Sequence, residues 1–232
     1  MSFLALRDLS KWYGNRAALR RVSFSIDSGE LLAVVGNNGA GKSTLLRLIA
    51  GLERADQGSI LVEGADFSSS QVFNNFRINQ GIGYFSDKSM LYGDLSVEEN
   101  LELFFCLSGR GNKQRFLELV DYLQIRDSYK KPIRSCSSGT IRRVSLVRAL
   151  MGEPKLVVLD EPLAHLDDQS RKVVITLCRE MLARDAAIVV ATHEEELVNS
   201  CATHILKLST DTTASFSALN GRTTTNNISV MN

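Results

Sequence analysis

Residues Gly36-Asn37-Asn38-Gly39-Ala40-Gly41-Lys42-Ser43 follow the pattern GxxxxGK[ST], and their flanks dictate how this stretch must fold. Before them, Leu31-Leu32-Ala33-Val34-Val35 is a short apolar run that reads as a buried strand. After them, Leu45, Leu46, Leu48 and Ile49 give a helix one apolar face, and Gly51 is placed to end it. A strand that turns sharply through glycines into a helix presents a row of backbone N–H groups able to close on phosphate oxygens. The helix N-terminus adds the positive end of its dipole, Lys42 reaches the terminal phosphates, and the Ser43 hydroxyl is set to ligate magnesium. The pattern therefore predicts a βα unit with a nucleotide site built into its turn.

The rest of the chain sets the frame for that unit. Its 232 residues, 44% apolar, suffice for one large domain or two small ones with a substantial core. Twenty-seven basic against 26 acidic side chains leave a net charge of +1, which offers no broad footprint for nucleic acid or anionic lipid, so no nucleic-acid partner is expected. Cys106, Cys136, Cys178 and Cys201 have neither CxxC spacing nor histidines at zinc-site distances, and read as buried or half-buried free thiols of a reducing compartment. The first residues lack the basic start and longer apolar stretch of a signal peptide. The apolar runs around Leu31–Val35, Leu156–Leu159 and Ala186–Ala191 are far too short to cross a bilayer.

Along the chain, strands are expected at Phe3–Leu9, Ala18–Ile26, Glu30–Val35, Gly58–Glu63 and Ile78–Phe85. From Ser96 to about Met151 the apolar spacing turns helical. Val97, Leu101, Phe104 and Phe105 form one stripe, Phe116, Leu119, Val120 and Leu123 a second, and Ile141, Val144, Val147 and Met151 a third. Alternation then resumes with a strand at Lys155–Asp160, a helix at Asp168–Arg184, and strands at Ala187–Ala191 and Ile205–Leu208. This order implies a largely parallel sheet with helices on both faces. The Ser-, Thr- and Asn-rich end, 209–232, suggests a closing hairpin followed by a loose tail.

Chemistry gathers at two further strand ends. Val157-Val158-Leu159 runs into Asp160 and Glu161, and in a parallel sheet the carboxyl ends of strands border the ligand. Asp160 is expected to hold magnesium opposite Ser43, and Glu161 to face the attacking water. His193 ends the neighbouring apolar run Ile188–Ala191 after Thr192, well placed for a γ-phosphate, with Glu194-Glu195-Glu196 opening a helix. His165 and His204 have no such placement and read as structural.

With these residues in order, roughly 3 to 208, the chain resembles the nucleotide-binding subunits of ATP-binding cassette (ABC) transporters. Tyr13 looks like the adenine-stacking aromatic of that family, Gly36–Thr44 its Walker A (with Ala40 and Thr44 among the ATP-binding positions), and Leu156–Asp160 its Walker B. Glu161 is similar to the catalytic glutamate, Ala164-His165-Leu166-Asp167 to the D-loop, and His193 to the switch histidine. Cys136-Ser137-Ser138-Gly139-Thr140 heads a helix much as the LSGGQ signature does, with Cys, Ser and Thr replacing Leu, the first Gly and Gln. The resemblance implies that Ser137, Ser138, Gly139 and Thr140 meet the γ-phosphate held by a second protomer. The family's Q-loop glutamine is missing from Phe85-Ser86-Asp87-Lys88-Ser89; Asp87 as a metal ligand, or Lys88 on a phosphate, are candidate replacements, and a solvated loop charge is the alternative.

What the resemblance implies as a whole is a P-loop NTPase of α/β class: a RecA-like, mostly parallel core, an N-terminal antiparallel β subdomain and an inserted helical subdomain. On this reading residues 1–208 form one ATPase domain, with core 1–85 and 154–208 and helical part 86–153. ATP and Mg2+ are the implied ligands. A second, identical or related, nucleotide-binding subunit and an integral membrane permease are the implied partners, with the chain held peripherally on the cytoplasmic face. The stretch Leu91–Leu101 and the degenerate signature look most like exporter subunits, including the heme-exporter ATPases of cytochrome c maturation and ABC-2-type systems. A soluble ABC-type ATPase and a hydrolysis-impaired regulatory cassette remain alternatives.

Overall fold

The computed structural model describes residues 2–67, 81–109 and 112–219. Two sheets carry the architecture. The first, in the order β2-β1-β4-β5, is antiparallel and is built from β1 (Leu4–Tyr13), β2 (Arg16–Ile26), β4 (Gln57–Val62) and the short β5 (Ala65–Asp66). The second runs β10-β9-β3-β8-β7-β6. Its strands β3 (Leu31–Val35), β6 (Ile82–Phe85), β7 (Leu156–Asp160), β8 (Ala187–Ala191) and β9 (His204–Leu208) are parallel, and β10 (Ala214–Ala218) closes the edge antiparallel to β9.

Because side chains alternate across a strand, each central strand feeds two cores. Leu32, Val34, Leu156, Val158, Val189 and Ala191 pack with the antiparallel sheet and with helix α1 (Lys42–Ile49). Leu31, Ala33, Val157, Leu159, Ile188 and Val190 face the opposite way. There they meet helices α2 (Val97–Ser108), α3 (Lys113–Tyr122), α4 (Ser138–Leu150) and α5 (Asp168–Leu182); the last helix, α6 (Glu195–Cys201), borders this core too. The three expected helical stripes are the core faces of α2, α3 and α4.

Three differences from the sequence reading have local causes. β1 runs on to Tyr13 rather than ending near Leu9, because register shifts between Leu6 and Trp12 break the two-residue alternation without breaking the pairing to β2. Of the strand expected at Ile78–Phe85, Ile82–Phe85 forms; residues 78–80 lie outside those described, as does the tail from 220. Cys106 is exposed, not buried or half-buried as expected, because it falls outside the Val97, Leu101, Phe104 and Phe105 stripe of α2; Cys136 is half-buried, and Cys178 and Cys201 are buried.

Candidate nucleotide site

The loop between β3 and α1 takes its shape from glycines that nothing else can replace. Gly36 and Gly41 have φ of 154° and 96°, and a Cβ would lie 2.1 Å from the Leu208 carbonyl oxygen and 2.5 Å from that of Ala18. The loop can therefore press against β9 and β2 only without side chains there. Gly41 sits at the head of α1, whose first residues Lys42, Ser43 and Thr44 border a cleft of about 470 Å³. Tyr13, Asn37, Asn38, Gly39, Asp87, Asp160 and Glu161 complete its wall, and Ala40 is packed in the core beneath.

Three strand ends converge on this cleft. The Lys42 ammonium donates to the Gly36 carbonyl at 2.6 Å and lies 3.1 Å from His193 Nε2. With the lysine as donor, that nitrogen accepts and the histidine proton sits on Nδ1. The same Nε2 is 3.5 Å from Glu161 Oε1, and the His193 backbone N–H donates to Glu161 Oε2 at 3.4 Å. Burial raises the Glu161 carboxyl above its ordinary value, against the opposing pull of His193 and Lys42. Burial raises Asp160 as well, partly offset by its hydrogen bond with Ser43.

The Ser43 hydroxyl and Asp160 carboxylate border the same cleft and offer oxygen donors alone, the donor set of a small hard cation. Among the described residues no group of three or more His, Cys, Asp or Glu is arranged to hold a metal. A cation at Ser43 and Asp160 would take its remaining ligands from phosphate oxygens and water, as magnesium commonly does.

Not every residue singled out in the sequence reaches this cleft. Ser137, Ser138, Gly139 and Thr140 lie elsewhere, at the start of α4, where the Ser137 hydroxyl caps the helix by accepting from the Thr140 N–H at 3.2 Å. Ser137 and Ser138 are exposed, and a Cβ on Gly139 would meet nothing within 4 Å. Asp167 caps α5 through the Ser170 N–H at 2.8 Å, which holds its carboxyl below the usual range. Asp87 does border the cleft, but Arg142 Nη1 donates to its Oδ1 at 2.5 Å. It is therefore not a free loop charge, because α4 brings a cation to it.

Other residues of the cleft carried no motif. Arg16 lines it beside the glycine loop. The Tyr13 hydroxyl donates to Glu53, whose other oxygen accepts from Arg47 Nε at 2.6 Å, so the exposed aromatic ring is tethered to α1. No pattern in the sequence links Tyr13 to a carboxylate 40 residues away.

The family described as ABC transporter matches residues 19–164, a span that includes the glycine loop, the strand ending in Asp160 and the head of α4. The chain belongs to the ABC transporter family. The lipopolysaccharide export system ATP-binding protein LptB of Haemophilus influenzae is 32% identical over 206 residues, covering 87% of this chain and 85% of that protein. The methionine import ATP-binding protein MetN of Rhizobium johnstonii is 33% identical over 204 residues, or 86% of this chain; the match spans only 56% of that relative's length. Nod factor export ATP-binding protein I of Rhizobium etli is 31% identical over 196 residues and is matched over 61% of its length. These ABC relatives include import and export proteins and do not single out heme-exporter or ABC-2-type systems.

Solved structures agree on the cassette fold. An ATP-binding subunit of an ABC transporter superposes with a TM-score of 0.85 at 27% identity over 94% of this chain and 90% of its own. The cassette MJ0796, in a dimeric post-hydrolysis form bound to ADP and Pi, gives 0.82 at 23% identity over 94% and 99%, a likeness of fold.

Proposed function

We propose that this ABC-family chain binds ATP with magnesium in the cleft, hydrolyses it with Glu161 as general base, and powers a transporter whose permease is a separate chain. The observation that carries the reading is the meeting of Lys42, His193 and Glu161 beside one phosphate loop, with contacts of 3.1 and 3.5 Å. Backbone N–H groups of Gly36–Thr44 cradle the phosphates, and the Lys42 ammonium exchanges its loop carbonyl for terminal phosphate oxygens. Tyr13 offers its ring to the adenine.

Ser43 and Asp160 would hold magnesium, which would supply positive charge against the phosphate oxygens. Glu161, whose burial makes it a better base than a surface carboxylate, takes the proton of the attacking water. The His193 backbone N–H holds Glu161 Oε2, and its ring, in the tautomer with the proton on Nε2, donates to the γ-phosphate.

Ser137 and Ser138, outside the lining of their own cleft yet open to solvent, suit a phosphate held by a second subunit, with the half-buried Gly139 beside them and Thr140 buried behind. A head-to-tail dimer, of identical or related chains, would put each exposed helix start over the other's ATP, with Asp167 beside the junction. Residues 1–208 then act as one ATPase domain, 86–153 forming the helical part that faces the permease on the cytoplasmic side of the membrane. No helix among the described residues is long and apolar enough to cross a membrane, so on this reading the permease holds the chain there. For direction, the relatives are divided; the stretch Leu91–Leu101 and the Ser-Ser-Gly-Thr signature favour export, which an assay in oriented vesicles decides.

The test is affinity purification of the chain from detergent-solubilised membranes with mass spectrometry of what accompanies it. A stoichiometric multi-spanning protein is expected. Purely soluble partners would overturn the transport reading and favour an ABC-type ATPase of another process.

A further inference from the structure

We propose that Arg142 is a positioning residue for Glu161, and that Asp87 is the carboxylate through which the contents of the cleft act on it. The inference rests on Glu161 being the general base proposed above.

Glu161 has a left-handed backbone, φ 50°, a conformation that a residue with a long side chain adopts only when its surroundings hold it there. Both of its peptide groups are held. Its N–H donates to the Ala191 carbonyl of β8 at 2.9 Å, which fixes it to the strand that leads to His193. Its carbonyl accepts from the Ala164 N–H at 3.3 Å and from Arg142 Nη2. Arg142 therefore supplies, from the first turns of α4, the restraint that the core sheet does not.

The environment of Arg142 is built for that task. Its side chain is 10% exposed, its guanidinium lies over the Phe85 ring with 5.0 Å to the centroid, and Nη1 donates to Asp87 Oδ1 at 2.5 Å. Nε is buried without a partner among the described residues. A guanidinium is a rigid fork, so Asp87 and the Glu161 carbonyl cannot be served independently: shifting one donor shifts the other. Lysine has no such geometry.

Asp87 links this fork to the nucleotide. It borders the same cleft as Ser43 and Asp160. A cation held at Ser43 and Asp160 would exert an attractive pull on the Asp87 carboxylate across that cleft. Through Oδ1 the pull passes to Arg142, to the start of α4 that carries Ser137–Thr140, and to the peptide of Glu161. In a chain whose residues 85–89 lack the family's glutamine, loading of the cleft is thereby reported to the base and to the signature helix by an ion pair.

The experiment compares wild type with Asp87→Asn, Arg142→Gln, Arg142→Lys and the Asp87→Asn/Arg142→Gln double variant. Steady-state turnover and the Kd of a fluorescent ATP analogue are measured, with hydrogen exchange of residues 138–150 under ATP with magnesium and ATP with EDTA. The expected result is a kcat loss of about 100-fold in Arg142→Gln with nucleotide Kd unchanged, the signature of a misplaced base. Arg142→Lys should remain impaired, and the double variant should be no worse than the single ones, because both act by one route. Magnesium-dependent exchange changes in 138–150 should be present in wild type and absent in each variant.

Unchanged kcat in Arg142→Gln, additive losses in the double variant, or magnesium-dependent exchange that survives Asp87→Asn would each overturn the proposal. Should Arg142→Gln fail to fold, Asp87→Asn, whose side chain is 80% exposed, carries the test alone. A wild-type chain that binds but does not hydrolyse ATP removes the base assignment, and the exchange comparison still decides whether the Asp87–Arg142 link exists.

Discussion

Glu161 and Asp160 pay in stability for where they sit. A carboxyl whose folded pKa lies above its unfolded value binds its proton more tightly in the folded chain. Its contribution to stability is therefore full at low pH and lost as pH rises through the raised value. Burial penalises the ionised form of both residues. Glu161→Gln and Asp160→Asn should each melt at a higher temperature than wild type at pH 7.5, a difference that shrinks as the solution is acidified; thermal denaturation across that range checks it. Glu53 makes a different prediction. Because it tethers Tyr13 to Arg47, Glu53→Ala should weaken ATP binding by severalfold while leaving the affinity for inorganic tripolyphosphate unchanged, as titration calorimetry would read. The loop glycines, Lys42, Asp160, Glu161 and His193 were legible in the sequence because each adjoins an apolar run whose end fixes its place. Arg142, Glu53 and Arg16 were not, since their value lies in partners such as Asp87, 55 residues from Arg142, that only tertiary folding brings near.

Among the elements, α2 shows how local chemistry fixes a boundary. Ser96 accepts from the Glu99 N–H at 3.2 Å while the Glu99 carboxylate accepts from the Ser96 N–H at 2.7 Å, a reciprocal cap, and Gly109 ends the helix in the left-handed region. Ser96→Ala should cost about 1 kcal/mol in urea unfolding with little effect on nucleotide binding. The start of α2 was read from the apolar spacing that begins at Val97, and this cap, though written in Ser96 and Glu99, played no part in that reading. β1 shows the reverse case. Its register shifts moved apolar residues out of alternation, so its length could be recognised only from the pairing of Trp12 with Ala17 and Tyr13 with Arg16. Sequence periodicity reports a strand's buried face, and a bulge erases that face without ending the strand.

At the scale of the molecule, the two sheets and the helical layer set the glycine loop and the start of α4 apart, so that on the proposed reading one chain displays both halves of a nucleotide clamp without closing it. The fold class was legible because strand, P-loop and helix order admit few connections. The proposed pairing of subunits leaves no periodicity in either one and was expected from the family resemblance alone. Gly139 gives access to it: nothing lies within 4 Å of its would-be Cβ, so Gly139→Glu should fold normally and bind ATP as wild type does. The added carboxylate should nonetheless repel a partner's phosphates and abolish ATP-dependent dimers of the Glu161→Gln background, as read by light scattering on a sizing column.

The most direct test of the whole account is phosphate release by the purified chain with ATP and magnesium, beside Glu161→Gln, with nucleotide affinity measured for both. The account predicts steady turnover by wild type, a fall of about 10²- to 10⁴-fold in Glu161→Gln, and equal affinities. Binding without turnover in wild type, or Glu161→Gln turning over at the wild-type rate, would contradict it.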